Sequence, residues 1–158
     1  MRHGEAISQS EWSGGDFERP QSKAGRKELE AAISFMSRAK LSFHELLASP
    51  YVRTAQTAKI LGSVMHGMEP QLIQQLASGA SLKSYREVLG SIKVDTALII
   101  GHMPELAIAV SRFSGLPDII ESGIKPAEIV AVDFTNSPNF DGKLMWRRTL
   151  DEWKELNG

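Results

Sequence analysis

Four segments of the chain repeat apolar residues at helical spacing, each behind a start signal. Behind Ser22, which offers an N-cap oxygen, Leu29, Ala32, Ile33 and Met36 form one buried stripe. Ser49 and Pro50 read as a cap followed by proline at the first helical position, and Ala58, Leu61 and Met65 repeat on one face beyond them. Ser81 opens a third helix with Leu82, Tyr85, Leu89 and Ile92 on its stripe, and Pro104 a fourth with Leu106, Val110 and Phe113. Between the helices, residues 42–48, the weaker run 71–74 and residues 96–100 suit strands; the last is apolar throughout, as in a buried parallel strand. Residues 128–134 and 143–150 flank a turn-rich stretch, 135–142, and read as a terminal hairpin. The alternation predicts an α/β fold: a three-layer α/β/α sandwich with a mostly parallel central sheet and a C-terminal antiparallel edge, in one domain over residues 1–158.

The opening tetrapeptide, Met1-Arg2-His3-Gly4, has no strand before it, although the pattern of the rest places it just after a central strand. The expectation is that an N-terminal strand upstream of Met1 is missing from the sequence. A sheet without it has an unfilled slot, lacking aliphatic side chains each worth about 1.5–3 kcal/mol on burial.

Composition narrows the function. At 158 residues, 42% of them hydrophobic, the chain suits one ordinary globular domain with a sizeable core. Eighteen basic residues nearly balance nineteen acidic ones without a basic run, which argues against nucleic acid as the partner. With no cysteine, thiolate catalysis, disulfides and sulfur-ligated metals are excluded. The apolar runs are too short for a membrane-spanning helix and no signal-peptide pattern opens the chain, so the expected location is cytoplasmic, with no membrane partner.

In an open α/β sheet, ligands bind at the carboxyl ends of the strands, where turns into helices expose backbone N–H groups. Three turns have that character: Arg2-His3-Gly4-Glu5, residues 49–53 with Arg53, and Gly101-His102-Met103-Pro104. Two arginines and two histidines would converge there, the last two beside helix N-termini that favour an anion. Guanidinium forks match phosphoryl oxygens, and a neutral imidazole can attack phosphorus. The implied ligand is a phosphate or a similar oxyanion. Four cations make a poor cage for Mg²⁺ or Zn²⁺ and no carboxylate cluster replaces it, so the prediction is metal-independent chemistry with no cofactor. Taken one at a time, Arg53 reads as a solvated helix residue and His102 as a hydrogen-bonded core histidine; their joint position at strand-to-helix switches favours a pocket.

The segments MRHGEA at 1–6, ERPQSKAGR at 18–26, LLASPYVRTAQTA at 46–58 and ALIIGHMPELA at 97–107 resemble the histidine phosphatase superfamily, which has the phosphoglycerate-mutase-like fold, and within it the small phosphohistidine phosphatase (SixA) branch. The resemblance covers nearly the whole chain. It implies that His3 is the residue phosphorylated during turnover, that Arg2, Arg53 and His102 surround the phosphoryl group, and that Gly4 belongs to the binding motif. Larger relatives carry a helical insertion that covers the pocket and supplies an acid; here the interval 67–81 is short. An open pocket suits a phosphohistidine projecting from a folded protein, such as a phosphotransfer domain. The implied function is therefore a phosphohistidine phosphatase acting through phospho-His3. The alternatives are a general small-molecule phosphomonoesterase or mutase of the same superfamily and, from another class, a non-catalytic module that binds phosphorylated proteins.

Two departures stand out. Gln75, followed by Leu76, occupies the place of a glutamate in relatives, and an amide cannot donate a proton as an acid does. Glu5 is the nearest remaining carboxylate, a candidate for proton assistance or for orienting Arg2. Gln21-Ser22 stands where the branch shows Leu-Thr. Arg19 lies on the Gly- and polar-rich loop 8–19, within reach of the pocket mouth. His44, His66, Trp12, Trp146 and Trp153 read as structural or exposed, and Arg147 and Arg148 as charges that protect an edge strand.

Overall fold

Ser22 caps the first helix as the sequence predicts: its Oγ accepts the backbone N–H of Gly25 at 2.9 Å and starts α1 (Lys23–Arg38). The structure, a computed structural model, describes residues 1–65, 67–134 and 140–155. The remaining elements are β1 (Glu45–Ala48), α2 (Val52–Val64), β2 (Gln71–Leu72), a 3-10 turn (Gln74–Leu76), α3 (Leu82–Ser91), β3 (Ala97–Ile100), α4 (Glu105–Ser114), α5 (Asp118–Ser122), β4 (Ile129–Asp133), β5 (Lys143–Arg148) and α6 (Leu150–Glu155). His66 and most of the predicted terminal turn fall outside the described residues.

The strands form a parallel sheet in the order β2-β1-β3 and an antiparallel pair β4-β5. Residues 1–3 join the two. Arg2 bridges Gly101 in parallel, the Gly101 N–H donates to the Met1 carbonyl, and the Arg2 N–H donates to the Glu128 carbonyl at 3.1 Å. Alternation along the strands divides the core into two layers. Leu46, Ala48, Leu98 and Ile100 pack with α1 and α2 residues such as Leu29, Ile33 and Leu61. Leu47 and the partly buried Ile99 face the other way, toward Leu76, Tyr85, Leu106 and Phe113. Strands with apolar residues on both faces belong between two helical layers, and the three-layer α/β reading holds.

Several boundaries differ from the prediction. Ser49 does not cap α2: the helix starts at Val52 behind Tyr51, and Ser49 is fully buried, its Oγ bonded to His102 at 2.7 Å. The site therefore takes the oxygen that a cap would have used. Strands 42–48 and 143–150 are shorter than read, and residues from Leu150 form α6 instead of continuing β5. There Trp153 packs its ring on Phe35 of α1, so helical burial prevails over strand propensity.

Beside Met1, where the sequence pattern calls for a strand, lies a groove of about 660 Å³ between β3 and β4. Leu98, Ile99, Ile129 and Val130 line its walls, and Met36, Phe113 and Trp146 its two floors. The Met1 amine is enclosed at its end, donating to the Ile99 carbonyl at 2.8 Å, and burial pulls its pKa down to about 5 despite the opposing charge of Glu128.

Candidate active site

The pocket forms where residues 2–6, the first turn of α2 and the turn after β3 meet, and its volume is about 300 Å³. Arg2, His3, Glu5, Arg19, Arg53 and His102 all line it, with Ser78, Met103 and Pro126. His3 and His102 have ring centroids 5.3 Å apart. Arg53 lies between them, its Nε 3.3 Å from His3 Nε2 and its Nη2 3.3 Å from His102 Nδ1. Four side chains spread over a hundred residues of sequence thus share one cavity.

The hydrogen bonds specify both imidazole tautomers. A guanidinium only donates, so His3 Nε2 and His102 Nδ1, which receive bonds from Arg53, are the lone-pair nitrogens. The protons therefore lie on His3 Nδ1, which donates to the Gly4 carbonyl at 2.7 Å, and on His102 Nε2, which donates to Ser49 Oγ at 2.7 Å. Burial is the main cause that lowers the His3 pKa, to about 4; Arg53 and Arg2 add to it, while the Gly4 carbonyl opposes. Burial likewise lowers His102 to about 3, helped by His3 and Arg53 and opposed by Asp16. At neutral pH the free site therefore holds two neutral imidazoles, one presenting its Nε2 lone pair as a nucleophile needs.

This has a measurable consequence. The acid limb of kcat/KM reports the free enzyme, so it should fall off below about pH 5 rather than near 6.5. Stability should follow the same groups. Their folded pKa values are depressed, so the unfolded chain binds more protons below about pH 6.5. Stability should decline by roughly a few kcal/mol as pH falls from about 6.5 to 4, which denaturant titrations at several pH values would measure.

Gly4 serves through its backbone. Its N–H donates to Thr57 Oγ1 at 3.0 Å, and a side chain there would collide with Gln21, whose Nε2 donates to the same hydroxyl at 2.7 Å. Gln21 is thus a buried strut beside the motif. Glu5 is exposed on the rim, accepts from Ser22 Oγ at 3.3 Å, and is not the support of Arg2. That support is the Ile124 carbonyl, 2.9 Å from Arg2 Nη1. Gln75 is exposed and outside the lining; Ser78 is the residue of that segment that reaches the pocket.

Asp16 had no signal in the sequence reading. It lies on the loop 8–19, accepts from Arg53 Nη2 at 3.0 Å and from Arg19 Nε at 2.9 Å, and its backbone carbonyl takes Arg53 Nη1 at 2.7 Å. Burial acts to raise its pKa, yet the bonds from Arg19 and Arg53 prevail and hold it below the usual carboxylate range. Tyr51, against both Arg53 and His102, packs its ring on the exposed Phe17 of the same loop. Among the described residues no group of three or more His, Cys, Asp or Glu is arranged to hold a metal, and no helix is long and apolar enough to cross a membrane.

A cationic pocket at the carboxyl ends of a parallel sheet, holding two neutral imidazoles beside its arginines, has the chemistry that suits a phosphoryl-like oxyanion. Comparison with known proteins places that class. Residues 1–78 match the profile of the Histidine phosphatase superfamily (branch 1). An uncharacterised protein of Picosynechococcus sp. is 32% identical over 109 residues, spanning 67% of this chain and 66% of its own length. The fold is shared with the protein histidine phosphatase SixA solved in complex with tungstate (TM-score 0.80, 21% identity, 96% of this chain and 95% of the other). It is also shared with the alpha-ribazole phosphatase of Shigella flexneri (TM-score 0.73, 14% identity, 95% of each chain). The chain belongs to the histidine phosphatase superfamily.

Proposed function

We propose that the protein is a phosphohistidine phosphatase that works through a covalent phospho-His3 intermediate, without a metal or other cofactor, on a phosphorylated histidine of a partner protein such as a phosphotransfer domain. The observation that carries this reading is His3 Nε2 aimed into a pocket it shares with Arg2, Arg53 and His102. In the first step His3 Nε2 forms a bond to phosphorus while the P–N bond to the substrate imidazole breaks, and that imidazole leaves with a proton. Arg2 and Arg53 neutralise the equatorial oxygens. His102 presents a lone pair at Nδ1, so it takes up a proton to donate to an oxyanion; a bound anion beside it raises its pKa and supplies the driving force. Water then attacks phosphorus, the bond to Nε2 breaks and phosphate departs.

The geometry around the pocket supports a protein substrate. Among the described residues the segment from β2 to α3 is a short strand and one 3-10 turn, and no carboxylate from it enters the lining. An imidazole leaving group protonates near neutral pH and needs little acid assistance, whereas an alkoxide needs a strong donor. Glu5 on the rim is the candidate for what proton assistance remains.

The fold is shared with an alpha-ribazole phosphatase, so small phosphate esters are the second reading. Rates on a phosphorylated phosphotransfer domain, on phosphoserine peptides and on sugar phosphates separate the two. The phosphohistidine protein should be cleaved with kcat/KM at least about 10²-fold above the esters, the size of one general acid's contribution. Equal rates would favour the small-molecule reading.

A further inference from the structure

Directly behind Arg2 lies a carboxylate that the chemistry above does not use. Glu128, just before β4, is fully buried. Its Oε1 accepts from Arg147 Nε of β5 at 2.6 Å, and its Oε2 accepts the Lys125 backbone N–H at 2.8 Å. Arg147 also donates through Nη2 to the Gly123 carbonyl at 2.9 Å and through Nη1 to Ser122 Oγ at 3.2 Å. The turn 123–127 is therefore tied at both ends to one ion pair. Arg147 lies on a strand with one paired neighbour, as the sequence suggested, and in addition holds a buried carboxylate.

The same turn holds the site from the other side. Its Ile124 carbonyl is the acceptor for Arg2 Nη1, its Ala127 N–H donates to the His3 carbonyl at 3.1 Å, and Pro126 lines the pocket. Arg2 Nε is buried without a hydrogen-bond partner among the described residues, so few contacts fix the guanidinium in place. An ion pair with a buried member is a weak source of stability, since well-packed apolar side chains of similar volume often stabilise as much or more. The pair is better explained by what it orients. We propose that Glu128, locked by Arg147, is a positioning residue that fixes the turn 123–127 and through it the Arg2 guanidinium facing the bound phosphoryl group.

The inference rests on the phosphatase reading of the pocket, and orthovanadate binding tests it separately from substrate identity. Glu128→Gln keeps the shape but removes the charge, and Arg147→Lys keeps a charge but loses the fork. Each should weaken orthovanadate affinity about tenfold or more, the size of losing one hydrogen bond to a charged group. Arg2→Ala should cost much less in the Glu128→Gln background than in the wild type, because both changes disable the same guanidinium. Fully additive losses, or unchanged vanadate affinity in a Glu128→Gln protein whose circular dichroism is native, would overturn the proposal. Should Glu128→Gln fail to fold, Arg147→Lys gives the same two readouts. Absence of vanadate binding in the wild type would instead overturn the reading of the pocket, and the inference with it.

Discussion

Replacing His3 with alanine should abolish phosphatase turnover while leaving the protein folded and able to hold an oxyanion. The expected loss in kcat is about 10⁴-fold or more, because the proposed covalent intermediate forms on this imidazole and its removal leaves only oxyanion binding in the cavity. Affinity for vanadate should change by only a few-fold, since Arg2, Arg53 and His102 remain. Wild-type enzyme quenched during turnover should carry acid-labile, base-stable phosphate that maps to the peptide containing His3. The variant should carry none. This experiment also separates catalysis from a non-catalytic phosphoprotein-binding role, which requires the arginines but not the imidazole. Retained turnover in His3→Ala, or labelling of another peptide, would remove His3 as the nucleophile.

A second large effect is expected from the groove between β3 and β4. Adding to Met1 an apolar, β-branched extension as long as β3 should place a strand against the β3 edge and between the two helical layers. Each aliphatic side chain so buried contributes about 1.5–3 kcal/mol, and ordering each residue's backbone costs about 1–2 kcal/mol. A net gain of ~2 kcal/mol would raise the Tm by roughly 4–8 °C for a chain of this size. The extension also moves the amine out of the interior, where burial now depresses its pKa to about 5. An extension of serine and glycine of equal length is the control. If the apolar strand raised Tm no more than that control, the groove would not be a strand site.

Much of this architecture can be read from local signals. Ser22 and Ser81 cap helices where their positions predict, and the apolar run ending at Ile100 is a buried parallel strand. The alternation that set those elements in order also set the strand ends, and so put Arg2, His3, Arg53 and His102 on one rim. What stayed illegible depends on contacts between distant residues. Ser49 looks like a cap because Pro50 follows it, and only the fold shows His102 claiming its hydroxyl. Asp16 sits in a loop without periodicity, so nothing in the sequence points it at Arg53. Glu128 and Arg147 are both ordinary members of a hairpin pattern, and their pairing, like the turn they brace, emerges from strand register. The helix of residues 150–155 was hidden for a related reason: the burial of Trp153 against α1 is a tertiary effect.

The contact between Asp16 and Arg53 bears on how a catalytic cycle ends. A pocket with three guanidinium groups and no counter-charge would hold inorganic phosphate as firmly as the phosphoryl group it arrives with, and end-product inhibition would throttle turnover. Asp16 shares Arg53 and Arg19 from a half-exposed loop, so in the proposed mechanism a competing anion would already be present when phosphate leaves His3. On that mechanism the carboxylate would moderate affinity for product and help the site empty, trading tight capture for rapid exchange.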